Sequence, residues 1–136
     1  MFDEAVLEFL SRPIIVRLST LGADGYPHTV PVWFDVERRG GEIELVVVSD
    51  RAARKVRNVE RDPRVALAIG GDPFDGDGYL VRGDMTVEDD PVHEVTHRLI
   101  DRYEHGPRKE ELRAAWKDDD IVVLRLRPTS VVSVWG

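Results

Sequence analysis

The chain has 136 residues, 42% of them apolar, and a formal charge of −7, which suits one globular domain with a core of ordinary size. It contains no cysteine, so disulfides, thiolate metal sites and cysteine nucleophiles are excluded, and a reducing cytoplasm is the expected setting. The acidic balance argues against general nucleic-acid binding, which draws on phosphate neutralisation. No apolar run approaches the length of a membrane span, and the acidic start MFDEAVLEFLSR lacks the pattern of a signal peptide.

Glu4 to Leu10 predicts a short helix, with Asp3 as N-cap and Val6, Phe9 and Leu10 on one face. Ile14 to Thr20 reads as a strand, and Leu21 to Gly25 as the turn of a hairpin. The partner strand runs from His28 to Val36; Pro31 within it predicts an edge position or a bulge. After the Arg38-Arg-Gly-Gly41 turn, Glu42 to Val48 forms a third strand whose Leu45-Val-Val-Val48 run predicts burial on both faces. A helix is predicted from about Arg51 to Arg61, ended by Asp62-Pro63.

Val65 to Ile69 is the next strand. A Gly- and Asp-rich loop (Gly70 to Gly78) leads to a strand over Tyr79 to Val87. Asp90-Pro91 predicts the start of a helix with Val92, Val95, Leu99 and Tyr103 on its buried face, stopping at Gly106-Pro107. A short helix over Arg108 to Trp116 follows, then strands Ile121 to Leu126 and Ser130 to Val134 split by Pro128. Some seven antiparallel strands with peripheral helices predict a small β-barrel of the α+β class.

One segment departs from the overall charge. Arg51 to Arg64 holds six basic residues against Glu60 and Asp62, a local +4 in a chain otherwise at −11. Ala52, Val56 and Val59 form the apolar stripe of the predicted helix, with Arg51, Lys55 and Asn58 beside it. A basic helix start placed directly after a strand can bring N–H groups, helix dipole and cations onto one phosphate. Solvation is the usual role of such a charge run. Asn58 is assigned a structural role here.

The first hairpin with Asp24-Gly25-Tyr-Pro27, the Pro31-Val-Trp-Phe34 strand, and Arg54-Lys-Val-Arg-Asn-Val59 followed by Asp62-Pro-Arg-Val65 resemble the split β-barrel flavin-binding superfamily named after pyridoxamine 5′-phosphate oxidase. Tyr79-Leu-Val-Arg-Gly83 with Val87-Glu-Asp-Asp90 extends the resemblance over nearly the whole chain. It implies an α+β fold, a mostly antiparallel six- to seven-stranded split barrel, in one domain over 1–136. Among the short members it implies an oxidoreductase binding FMN or the deazaflavin coenzyme F-420 at a homodimer interface and reducing a small organic acceptor. Lys55 would grip the cofactor phosphate with Arg51 and Ser49 nearby, Arg54 being an alternative to Arg51. The ring would lie along Pro31, Val32 and Trp33 and against Val47 and Val48, with Tyr79 reaching toward the partner's cofactor. Arg54, Arg57 and Arg61 would suit the acidic tail of F-420. The C-terminal Thr129 to Gly136 lacks the Arg-rich, aromatic ending of a true pyridoxamine phosphate oxidase, so vitamin B6 oxidation is not expected.

Trp33 and Phe34, adjacent on a strand, should face opposite ways, one into the core and the other toward a pocket. Trp135 is expected to act as a packing plug. His93-Glu-Val-Thr-His97 copies the H-E-x-x-H zinc pattern, which makes a zinc hydrolase a remote alternative. The predicted buried stripe turns both His toward an exposed flank, so no metal site is assigned. A flavin carrier or sensor without turnover is the nearer alternative, because the cofactor, not an acid–base pair, would carry the chemistry.

Overall fold

The computed structural model describes residues 1–74 and 76–134; the expectation for Trp135 lies outside them. Within these residues the order is α1 (Glu4–Leu10), β1 (Val16–Leu21), β2 (Pro27–Val32), β3 (Asp35–Arg39), β4 (Glu42–Asp50) and α2 (Arg54–Arg61). The chain continues through β5 (Arg64–Gly70), β6 (Gly78–Asp89), α3 (Glu94–Tyr103), α4 (Pro107–Trp116) and β7 (Ile121–Ser133). The seven strands form one sheet in the order β2-β1-β5-β6-β7-β4-β3, with every neighbouring pair antiparallel. The α+β expectation therefore holds.

The sheet closes because of a short connection. β2 and β3 lie at opposite ends of the strand order, yet only Trp33 and Phe34 join them. Three residue steps reach roughly 10 Å at most, so the two ends of the sheet must meet. The single strand expected over His28 to Val36 is thus two strands with a corner between them. Phe34 turns fully into the core and Trp33 turns outward. The Tyr103 hydroxyl pins this corner, accepting the Phe34 N–H at 3.1 Å and donating to the Ile14 carbonyl at 2.6 Å.

One core fills the barrel. Val16, Leu18, Leu45, Val47, Leu67, Val81, Leu124 and Leu126 alternate inward from their strands, and Val56 and Val59 of α2 and Phe9 of α1 close the ends. Each such side chain contributes about 1.5–3 kcal/mol by burial. Outside the barrel a second cluster joins Val46 and Val123 to Val95 and Leu99 of α3, with Trp33, Val48 and Tyr103 against it. This explains the continuous apolar run of β4. On the same outer surface the buried Arg125 meets Glu37 at 2.5 Å, Glu88 at 3.0 Å and Glu44 at 3.2 Å, as a charge removed from water requires.

α1 forms as predicted, its Asp3 carboxylate accepting the Val6 N–H at 2.9 Å. Pro31 lies on an edge strand, since β2 pairs with β1 alone. Three boundaries differ from expectation. α2 begins at Arg54, not Arg51, because the Arg51 N–H donates to the Asp120 carbonyl at 3.0 Å and prolongs the β4–β7 ladder. β7 is continuous through Pro128: a register shift at Arg82/Gly83 absorbs the missing donor, and a Cβ at Gly83 would stand 2.1 Å from the Arg127 carbonyl oxygen.

The third concerns α3, which begins at Glu94 after His93 in the left-handed region (φ 56°). Asp90 still caps it from a distance, accepting the Thr96 N–H at 3.0 Å and the Thr96 hydroxyl at 2.7 Å. The rotated start exposes Val92 and buries His93, opposite to the expected stripe. No described helix is long and apolar enough to cross a membrane.

Candidate functional site

The site lies where the barrel is split. β3 pairs with β4 only up to Val46, so among the described residues the stretch Val47 to Asp50 has β7 on one side and no strand on the other. The outer edge of β2 likewise has no partner strand among the described residues. These two edges border a slit with two lobes that share Val48, Lys55 and Trp116. One lobe, about 490 Å³, is apolar and is lined by Ile15, Pro31, Val32 and Trp33. The other, about 240 Å³, is lined by Ser49, Asp50, Asp119 and Ile121. Unpaired strand edges present backbone N–H and C=O groups, so the slit offers donors and acceptors from main chain alone.

Lys55 stands at the junction of the lobes. It is half-buried and makes no ion pair among the described residues. Burial pushes its ammonium below the usual lysine range, and Asp50 nearby partly restores it. The start of α2 opens beside it. The N-cap residue is Ala53, which has no capping side chain, and the N–H groups of Arg54 and Lys55 meet no acceptor among the described residues. An uncapped helix start and an ammonium with no ion pair among the described residues thus belong to the same turn of α2, a combination that suits an anion.

Of the residues expected from sequence, Pro31, Val32, Trp33, Val48, Ser49 and Lys55 line this slit. The Ser49 hydroxyl donates to the Asp50 carbonyl at 3.0 Å. Four residues, Val47, Arg51, Tyr79 and Arg54, do not line it. Val47 points into the barrel core. Arg51 turns to the far side, its Nε donating to Asp120 at 2.7 Å and its Nη2 to Asp89 at 2.5 Å. Tyr79 packs edge-on against Phe9, ring centroids 5.5 Å apart, with its hydroxyl on Asp77 at 2.8 Å.

Arg54 faces a different recess of about 480 Å³ on the other flank of α2, lined also by Arg57, Asn58, Arg61 and His28. There Arg54 and Arg57 have no carboxylate partner among the described residues. Arg61 is fixed by the Leu21 carbonyl at 2.7 Å and the Asn58 Oδ1 at 3.0 Å. Asn58 is structural, buried and donating to the Thr20 hydroxyl at 3.0 Å.

Trp116, Ile15 and Asp119 also line the slit, outside the residues expected from the sequence. Trp116 had a readable signal, a large aromatic on a helix whose only buried residue is Leu112. The paired histidines do not converge on a common point. The His93 Nε2 lies 3.0 Å from the Asp119 carbonyl, and the two rings are perpendicular, with centroids 6.1 Å apart. Among the described residues no group of three or more His, Asp or Glu is placed to hold a metal ion.

Closed barrel, split edge and basic helix start together define a split β-barrel protein with a slit at the start of α2. The family model described as pyridoxamine 5′-phosphate oxidase matches residues 2–135, and the chain belongs to that family. A 5a,11a-dehydrotetracycline/5a,11a-dehydrooxytetracycline reductase from Streptomyces rimosus subsp. rimosus is 36% identical over 72 residues, 53% of this chain and 51% of the reductase. The chain thus matches about half the length of that relative. Among solved structures, an F-420 reductase superposes with a TM-score of 0.71 at 27% identity, covering 92% of this chain and 94% of the other. A pyridoxamine 5′-phosphate oxidase-related, FMN-binding protein from Nostoc punctiforme superposes with a TM-score of 0.67 over 97% of this chain and 82% of the other. At 14% identity it speaks for the fold alone.

Proposed function

We propose that this protein is an oxidoreductase that binds FMN or coenzyme F-420 in the slit and, as a homodimer, reduces a small organic acceptor. The observation that carries this reading is Lys55, an unpaired, half-buried cation at the uncapped start of α2 beside an apolar slit. That combination suits a ligand with a phosphate at one end and a flat ring system at the other. The reductase relative and the F-420 reductase neighbour support the same class of activity.

Lys55 and the first N–H groups of α2 would hold the phosphate, and the unpaired edges at Pro31–Trp33 and Val48–Ser49 would hydrogen-bond the ring margins. When bound, the cofactor supplies hydride chemistry; the protein orients it and keeps water from the slit. A partner subunit at the rim near Ile15, which is 46% exposed, would complete the enclosure. The recess with Arg54, Arg57 and Arg61 favours F-420 over FMN, because the guanidiniums of Arg54 and Arg57, without a carboxylate partner among the described residues, suit an acidic tail.

Titration of the cofactor-free protein with each cofactor, followed by fluorescence, tests this. Saturable binding of F-420 that weakens in the Lys55→Ala variant is the expected result. Binding of neither cofactor would overturn the reading. Turnover with a panel of quinones and enones then separates an enzyme from a carrier of the same cofactor.

A further inference from the structure

α4 is the least embedded of the four helices, yet it borders the slit. Leu112 is its one buried residue, and among the described residues it lies outside both apolar clusters. Pro107, Arg108, Glu110, Glu111, Ala114 and Ala115 are exposed, so most of the helix faces solvent. Two ion pairs tie it to α3, Arg113 to Asp101 at 2.6 Å and Lys109 to Asp101 at 3.7 Å, both on one exposed carboxylate. The Arg113 Nε is buried without a hydrogen-bond partner among the described residues, which offsets part of what those pairs contribute. The remaining tether is Trp116, whose ring lies against Trp33 with centroids 6.2 Å apart.

The two ends of α4 differ. Before it stands Gly106 at φ 62° and ψ −143°, a conformation open essentially to glycine alone, with nothing within 4 Å of where a Cβ would be. After it the chain is fixed again at Asp120, which Arg51 holds through backbone and side chain. Gly106 and the turn over 117–119 can thus serve as hinges between fixed neighbours. Trp116 gives such a movement a consequence. It borders both lobes, together with Val48 and Lys55, so a ligand reaching from Lys55 into the apolar lobe must pass it. Segments with few buried apolar contacts open at lower free energy than core strands. We infer that α4 is a lid on the slit, latched to α3 through Asp101, which opens to admit the ligand and closes over it with Trp116. The inference rests on the proposed cofactor reading for the ligand's identity alone; the opening of α4 does not depend on it.

Hydrogen exchange of the full chain, read by mass spectrometry, tests the movement without any ligand. Amides of residues 111–116 should exchange about tenfold faster, or more, than those of β4 and β7. Asp101→Ala should speed them a further two- to fivefold and leave the strands unchanged, as the loss of two exposed pairs suggests. Asp101→Glu, which keeps the charge, should stay near the parent. Stopped-flow mixing with F-420 and with FMN then tests the gating. Asp101→Ala should raise association and dissociation rates together, by about the same two- to fivefold, with the dissociation constant held within about twofold. Exchange in α4 as slow as in β7 would overturn the lid, and so would binding rates unmoved in a variant whose α4 exchanges faster. Faster dissociation alone would also overturn it, Asp101 then merely supporting the bound form. Failure of both cofactors to bind would reject the cofactor reading, and the exchange result would then decide the lid by itself.

Discussion

The Arg51 guanidinium lies flat against the Asp120 carboxylate, with Nε to Oδ2 at 2.7 Å and Nη2 to Oδ1 at 3.1 Å. The same residues also pair through the backbone, Arg51 N–H to Asp120 carbonyl at 3.0 Å. This joins the approach to α2, which carries Lys55, to the segment that carries Trp116 and Asp119. Bidentate geometry makes it firmer than an ordinary surface pair. It also commits the Arg51 charge to two aspartates, so an anion in the slit would meet Lys55 instead.

Arg51→Ala should therefore weaken cofactor binding only about two- to threefold, through loosened positioning, as the modest worth of an exposed pair suggests. Exchanging the charges, Arg51→Asp with Asp120→Arg, should recover only part of that loss, because a carboxylate at position 51 faces Asp89. Hydrogen bonding to Arg51 holds the Asp120 carboxyl below its ordinary value. The clasp is thus fully present above that ordinary value and is lost as pH falls through the lowered one. Affinity measured from pH 7 down to pH 3 checks both points.

Lys55→Ala should cost far more. Loss of a charge-assisted phosphate contact is worth about 1.5–3 kcal/mol, or roughly 10- to 150-fold in affinity. Because burial lowers the Lys55 pKa from 10.5, the parent's affinity should begin to fall with rising pH before that ordinary value is reached. Titrations at a series of alkaline pH values, compared with the flat profile expected of Lys55→Ala, provide the measurement.

The same residue should burden the empty protein. A lysine whose folded-state pKa is depressed binds fewer protons folded than unfolded between the two values, so stability rises with pH across that window. Lys55→Met should accordingly raise the melting temperature of the cofactor-free protein at neutral pH. The gain should shrink as pH approaches 10.5. Calorimetric melts of both proteins at pH 7 and near pH 10 test the sign.

Asn58 links α2 to β1 through the Thr20 hydroxyl at 3.0 Å, in a buried setting, and its Oδ1 also orients Arg61. Asn58→Ala should lower unfolding stability by about 1–3 kcal/mol, since Thr20 is left without its partner. Thr20→Val combined with Asn58→Ala should cost less than the two single changes together. Urea unfolding of the four proteins gives the coupling.

Much of this molecule was decided locally. Asp3 capping α1, the edge position of Pro31, the hairpin at Leu21 to Gly25 and the basic α2 with Lys55 follow from backbone preferences and apolar spacing, which act over a few residues. The family resemblance rests on the same short-range patterns. What the sequence did not reveal depends on which distant segments meet. The corner at Trp33–Phe34 exists because a seven-stranded sheet must close over a two-residue link. Arg51 is drawn off the slit by Asp89 and Asp120, 38 and 69 residues away in the chain. Trp116 joins Lys55 only because α3 and α4 fold back across the outer face of the sheet, and no local pattern encodes that contact. The charge of the site was legible in the chain; its walls were set by barrel closure.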